Sequence, residues 1–299
     1  MTESSSSPRE SASDVVVPFT FARLPVRGAI VQLGREWRSL VERQNQPSEV
    51  REVLGHAAAA VPLIAQSLKE GTSVTLQLTG GGPLSLLVMQ CTNSLKFRGM
   101  ATSSEAVNGL AFDALVTDAR CAITIDSQGQ EQSYQGIVAV SKRSLAASLE
   151  NYFYRSAQLP SHVALVADET TCAGLLLQQM PGDIGLDEDD WRRLGFLAET
   201  LNLRDVRDGV GTELLRKLFP EDDLRVFEPR PAEFRCRCSR ERAANVLRLL
   251  GPDECDLTAD DEDQIVVTCE YCGRQQRFDP VDLAAIFAES NSPTSDQLH

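Results

Sequence analysis

Cys236-Arg237-Cys238, then thirty intervening residues, then Cys269-Glu270-Tyr271-Cys272-Gly273 is the stretch on which the reading of this chain turns. Two tight cysteine pairs a few tens of residues apart supply four thiolates, enough for the closed tetrahedral sphere that zinc takes in structural sites. The second pair has a familiar zinc spacing; the first is less usual. Gly273 follows the second pair, where a backbone folding over its own metal needs a turn residue free to adopt a positive φ. The spacing therefore predicts one zinc ion held by Cys236, Cys238, Cys269 and Cys272.

The flanking residues bear on the charge of those thiols. Arg235, Arg237, Arg240, Arg242 and Arg274 crowd the pairs, and Ser239 reads as a helix N-cap that sets a helix's positive end beside the first pair. Both effects are expected to depress the thiol pKa values and to make these cysteines the first targets of an oxidant; a bland alternative is that the arginines only solubilise a small domain. Residues two or three apart in a bent chain can reach the Cα separation of about 4.4–6.8 Å that a disulfide requires, so each pair could close on itself once metal leaves. Structural zinc contributes an apparent 10–16 kcal/mol or so to folding, against a total of about 5–15 kcal/mol for a whole domain. Oxidising the ligands should therefore unfold so small a segment.

Outward from the cysteines, the last segment carries a helix over 240–250, a strand over 264–268 and a terminal helix over 280–287. Towards the amino terminus the pattern changes character. Residues 182–223 hold 12 acidic and 6 basic side chains, a net charge of −6 over 42 positions, without strand patterning. Trp191, Leu194, Leu197, Ala198 and Leu201 fall on one helical face, and Val210, Leu214, Leu215 and Leu218 on another. Before them runs an α+β pattern: strands at 15–19 and 28–33, helices at 35–46 and 48–69, and a hairpin of Ser73–Leu78 and Leu84–Met89 about Gly80-Gly81-Gly82-Pro83. Strands recur at 97–101, 121–125, 134–140, 162–167 and 174–178, with a helix over 144–155. The organisation expected is a disordered tail over 1–14, an α+β core domain with a β-rich centre over 15–181, a helical, metastable linker over 182–231, a small zinc-binding domain over 232–288 and a frayed tail over 289–299.

Composition narrows the function. The chain has 299 residues, 43 acidic against 29 basic, and a formal net charge of −14. A phosphate backbone or an anionic lipid surface would be repelled unless basic residues clustered locally, so neither nucleic acid nor membrane is expected as partner. The longest apolar run, Ala57–Ala65, is 9 residues with Pro62 inside it, against the roughly 18 of a membrane span. The amino terminus lacks a basic segment followed by an apolar one, which points to the cytoplasm. Eight cysteines in this length are too sparse for a disulfide-built scaffold.

Glu233-Phe234-Arg235-Cys236-Arg237-Cys238-Ser239-Arg240-Glu241-Arg242, Cys269-Glu270-Tyr271-Cys272-Gly273 and Tyr134-Gln135-Gly136-Ile137-Val138 together resemble the bacterial redox-regulated chaperones of the thirty-three-kilodalton heat-shock protein family. The likeness extends over roughly 19–287, including Arg27-Gly28, Glu150-Asn151-Tyr152-Phe153-Tyr154-Arg155-Ser156 and Gln158-Leu159-Pro160. It implies that the four cysteines bind zinc when reduced, and that oxidation pairs Cys236 with Cys238 and Cys269 with Cys272, releases the metal and unfolds the linker. It further implies an ATP-independent holdase, not an enzyme, that binds unfolding client proteins and forms a homodimer when oxidised. Cys255 lies outside that motif and is either a core bystander or a competing thiol.

Other chemistries fit less well. A thiol–disulfide oxidoreductase would use Cys269-Glu270-Tyr271-Cys272 at the start of a helix after a strand. A zinc-ribbon binding module for nucleic acid is favoured by the arginines and opposed by the total charge. His56, His162 and His299 do not cluster with carboxylates at ligand spacing, and a closed four-thiolate site leaves no position for hydrolysis. Gly80-Gly81-Gly82-Pro83 lacks the Lys-Ser/Thr of a phosphate loop.

Overall fold

The computed structural model describes residues 14–104, 107–127, 133–182, 186–209, 211–252, 254–255 and 264–290. The chain divides into two compact units, Met1–Arg235 and Cys236–His299.

The first unit is organised about one apolar helix. α2 (Ser48–Ala65) buries Val50, Val53, Leu54 and every residue from Ala57 to Ala65, because a helix that is apolar nearly all round is stable only when covered nearly all round. Two six-stranded sheets cover it. In the first, β1 (Val15–Phe21), β2 (Val26–Leu33), β9 (Cys172–Gln179) and β8 (Ser161–Ala167) run antiparallel in that order. In the second the order is β12 (Glu233–Phe234), β5 (Lys96–Ser103), β4 (Leu84–Thr92), β3 (Thr72–Thr79), β6 (Arg120–Ser127) and β7 (Tyr134–Ala139). The expected hairpin is present with Leu76 opposite Met89, and the alternation of β3 places Val74, Leu76 and Leu78 in the core. α1 (Arg35–Gln44) inserts Trp37 and Leu40, and α4 (Leu145–Tyr152) runs into a π-helical turn at Phe153–Ala157. A one-turn helix, α3 (Phe112–Leu115), precedes β6.

α1 ends before 46 because Asn45 turns left-handed, at φ 44°, ahead of Pro47. Asp14, assigned by composition to the tail, is buried: its carboxylate accepts from Gly34 N at 2.8 Å and Glu36 N at 3.0 Å and so caps α1 from twenty residues away. Residues 1–13 and 291–299 lie outside the described residues.

The acidic segment folds onto the outer face of the first sheet. α5 (Glu188–Glu199), α6 (Leu203–Asp208) and α7 (Thr212–Leu218) bring Leu194, Ala198, Leu201, Val206, Leu214, Leu215 and Leu218 against Val17, Phe19, Ile30, Leu175 and Leu177. Both helical faces read from sequence are the buried ones, with Trp191 and Leu197 at the margin; Val210 lies outside the described residues. Phe219 packs between Phe19 and Phe21, with ring centroids 6.1 and 5.2 Å away. The segment is not wholly helical: β10 (Leu224–Val226) and β11 (Arg230–Pro231) add to β1. With three and two residues they carry no readable alternation.

In the second unit, α8 (Arg240–Leu250), β13 (Ile265–Thr268), β14 (Gln275–Phe278) and α9 (Pro280–Ser290) enclose a small core of Ala243, Ala244, Leu247, Cys255, Ile265, Phe278 and Ile286. β14 escaped the sequence reading because Gln275-Gln276-Arg277 gives no apolar alternation; it exists by pairing with β13. No described helix is long and apolar enough to cross a membrane.

Leu54 is fully buried in α2, so Leu54→Ala should cost about 2–5 kcal/mol in urea unfolding followed by circular dichroism. His56 on the same helix is pushed down to about 4 by burial. An unfolded histidine binds its proton near pH 6.5 or so and the folded one only near 4, so this residue's contribution is intact above about pH 6.5 and is lost as pH falls towards 4. Its ring keeps some contact with water, which reduces the loss to about 1–2 kcal/mol. The difference in urea midpoint between pH 7 and 4.5 should shrink accordingly in His56→Gln.

Candidate metal centre

The four cysteines reach one point from two different local structures. Cys236 and Cys238 lie on the extended chain that leads into α8. Ser239 then caps that helix: its backbone is extended at φ −143°, and its hydroxyl accepts from Arg242 N at 3.2 Å. Cys269 and Cys272 form the turn of the β13–β14 hairpin. Cys269 N donates to Arg274 O at 2.9 Å, and both Cys272 N and Gly273 N return to Cys269 O, at 3.3 and 2.7 Å. Gly273 takes φ +65°, the left-handed conformation the motif requires. This is a knuckle within a hairpin and not the start of a helix, which removes the geometry a thioredoxin-like oxidoreductase would need.

The sulfurs of Cys236, Cys238, Cys269 and Cys272 all lie within 4.8 Å of one another. The contacts across the two pairs are 3.6 Å from Cys236 to Cys269 and 3.4 Å from Cys238 to Cys272. Four thiolates placed tetrahedrally around an ion at bond lengths of about 2.3 Å would be about 3.8 Å apart. The donor set and its spacing therefore suit a metal that prefers sulfur. Three of the four cysteines are half-buried and Cys272 is buried.

The electrostatics differ from the sequence expectation. Removal from water, followed by the neighbouring Cys272 and Cys236 thiols, pushes the Cys238 thiol up to about 12 instead of down. Three of the five arginines have partners other than the sulfurs. Arg240 donates to Arg277 O at 2.7 Å and to Asp282 at 2.6 Å and lies 4.4 Å from the Phe278 ring centroid; Arg242 donates to Arg237 O at 2.8 Å. In the first unit Arg235 pairs with Glu233 at 3.3 Å. A cation among the sulfurs would offset both effects at Cys238 and favour its thiolate.

The remaining cysteines stand apart. Cys91, Cys121 and Cys172 are buried in the first unit, and burial raises all three thiols, Cys121 to about 12. Cys255 packs in the second unit's core with Sγ 3.9 Å from Leu247 O and is not one of the converging four.

A second feature of the site region lay beyond sequence reading: the polar clasps that seat α5 and α6. Gln32 Nε2 donates to Val206 O at 2.7 Å, while Gln32 Oε1 is buried without a partner among the described residues. Arg207 pairs with Asp168. The His162 ring stacks on Trp191 at 4.1 Å, in a slot floored by Gly195. These pairs join residues up to 174 positions apart, and no local motif announces them.

The family model described as Hsp33 protein matches residues 14–279. A 33 kDa chaperonin of Methylobacillus flagellatus is 36% identical over 290 residues, covering 96% of this chain and 99% of that protein. Its counterpart in Nitrosococcus oceani is 37% identical over 282 residues, covering 94% and 97%. The crystal structure of the 33 kDa chaperonin from Thermotoga maritima aligns with a TM-score of 0.79 at 20% identity, over 93% of this chain and 99% of that one, a likeness of fold. With a mixed helix-and-sheet core that matches that fold, a carboxy-terminal cluster of four cysteines and relatives of this similarity along its whole length, the chain belongs to the Hsp33 protein family.

Proposed function

We propose that this protein is a redox-regulated, ATP-independent holdase chaperone, and that it is not an enzyme. The observation that carries the reading is the convergence of Cys236, Cys238, Cys269 and Cys272 within 4.8 Å in a unit whose apolar core is only a handful of residues. In the reduced protein these four side chains would hold one zinc ion, which when bound supplies folding energy to the carboxy-terminal unit.

An oxidant such as hydrogen peroxide would convert each pair, Cys236 with Cys238 and Cys269 with Cys272, to a disulfide. Each pair of thiolates would give up two electrons, which with two protons from solvent reduce one peroxide to two waters as the metal departs. All four sulfurs are already close enough for in-pair bonding to need only local movement. Disulfide formation removes the thiolate donors, the metal is lost, and a unit this small cannot stay folded on its core alone.

Residues 182–231 would act as the metastable linker. What supports this is the character of their docking: a net charge of −6 over 182–223 that repels itself, and a buried Gln32 oxygen left unsatisfied beneath α6. Release of α5–α7 would bare Phe19, Ile30, Leu175 and Leu177, an apolar sheet face able to take unfolding client polypeptide. Cytoplasmic location and dimerisation on oxidation complete the proposal and rest on family likeness.

Cys269→Ser should lose bound zinc under reducing conditions and leave the carboxy-terminal unit protease-sensitive. Retention of a full equivalent of zinc with unchanged protease resistance would refute the ligand assignment. The oxidised, zinc-free protein should suppress light scattering by a thermally aggregating client; failure to do so sinks the chaperone reading even if zinc release is seen. A Cβ at Gly195 would lie 2.7 Å from the His162 ring, so Gly195→Val should loosen α5 by about 1–3 kcal/mol. Holdase activity should then appear at lower oxidant doses than in the parent protein.

A further inference from the structure

Both sheets of the first unit end in edge strands, and three of the four are either very short or carry a carboxylate on an outward N–H. On β8 the outward N–H of Val163 donates to the Glu150 carboxylate at 2.9 Å, with α4 and α5 packed against the strand. On β12 the outward N–H of Phe234 donates to Glu36 at 2.9 Å, and the strand is two residues long. β10 has three residues. The fourth edge, β7, is different.

β7 reads Tyr134-Gln135-Gly136-Ile137-Val138-Ala139, without a charge or a proline, the devices that ordinarily guard an open edge. It pairs with β6 with Ala139 opposite Arg120, and the next residue, Val140, donates to Ala119 O at 3.1 Å. Hydrogen-bonded and non-hydrogen-bonded positions alternate in an antiparallel pair. Val138, Gly136 and Tyr134 therefore bond towards β6, while the N–H and C=O groups of Gln135, Ile137 and Ala139 point outward. All three of these residues are exposed, Ile137 at 56%, and no described residue bonds to their backbone groups. Tyr134, 47% exposed, is held upright by its hydroxyl donating to Ser156 O at 3.1 Å. The metal centre does not account for this stretch, although the sequence reading singled it out.

Charge selects the occupant. Arg120 lies across from one end of β7, Lys142 and Arg143 follow it, and Arg155 adjoins the serine that holds Tyr134. All four are exposed, and no described carboxylate forms an ion pair with any of them. Among the described residues, Asp118, just before β6, and Asp126, near its far end, leave cations in excess. In a chain of net charge −14 this is a local positive rim around an unpaired ladder. A second copy of the chain would bring two such rims together and is disfavoured.

We propose that β7 is a docking edge for an extended, acidic-flanked segment of another polypeptide, which adds to the second sheet as a further strand. The site does not depend on zinc release, since α5–α7 cover the other sheet.

The test uses the reduced, full-length chain and a fluorescent, blocked peptide of alternating valine and threonine with two aspartates at each end. Anisotropy should show saturable binding, weakened at least about tenfold when the aspartates become lysines or when alternate valines are N-methylated. Ile137→Pro removes only an outward N–H, so β6–β7 pairing survives while binding falls by a similar factor. Absence of binding, or equal binding of the N-methylated peptide, overturns the proposal however the proline variant folds. Displacement of the peptide by an oligothymidylate would assign the rim to polyanions instead, and a dimer of the reduced chain abolished by Ile137→Pro would assign the edge to a second copy.

Discussion

Four sulfur atoms drawn within 4.8 Å of one another cannot all be ionised unless a cation lies among them, and the second unit is built around that constraint. Its elements are a capped helix, a hairpin of two four-residue strands and a terminal helix, which share a core of seven buried residues. The rise of the Cys238 thiol to about 12, caused by removal from water and by its thiol neighbours, is the same constraint seen from the acid side. Cys91, Cys121 and Cys172 differ from the four in being buried in the first unit, where removal from water raises their thiols and withholds them from solution chemistry.

The first unit answers to a different constraint. α2 is too apolar to tolerate water on any side, so a sheet closes on each of its faces. The outer face of one sheet is then covered by α5–α7, and this second layer is less complete than the first. Its apolar contacts are good, but its polar clasps include an unsatisfied amide oxygen on Gln32 and depend on side chains such as Asp168 and His162 that belong to distant strands.

Much of this was legible because it was local. The alternation in β3 and β4, the amphipathic faces of α5 and α7, the Ser239 cap and the turn at Gly273 each declare themselves within a few residues. What escaped was non-local. β10, β11, β12 and β14 are strands only because β1, β5 and β13 offer them a ladder. Asp14 looked like tail because its role, capping α1, is played across a sheet hairpin. The arginines near the cysteines in sequence turned out to spend their hydrogen bonds on Asp282, on backbone carbonyls and on Glu233, because side-chain reach and competing partners decide where a guanidinium goes.

The sequence by itself determined the donor set, its two-pair spacing, the acidic segment and its apolar faces, and the α+β pattern, since each depends on residue type at short separation. Only the tertiary structure decided that the four sulfurs converge, that the acidic helices lie on the first sheet, and that β8 and β12 receive a carboxylate on an outward N–H while β7, among the described residues, receives none. These are outcomes of long-range pairing, in which a carboxylate such as Glu150 or Glu36 either reaches a strand's outward N–H or does not. No pattern within the strand itself records that result.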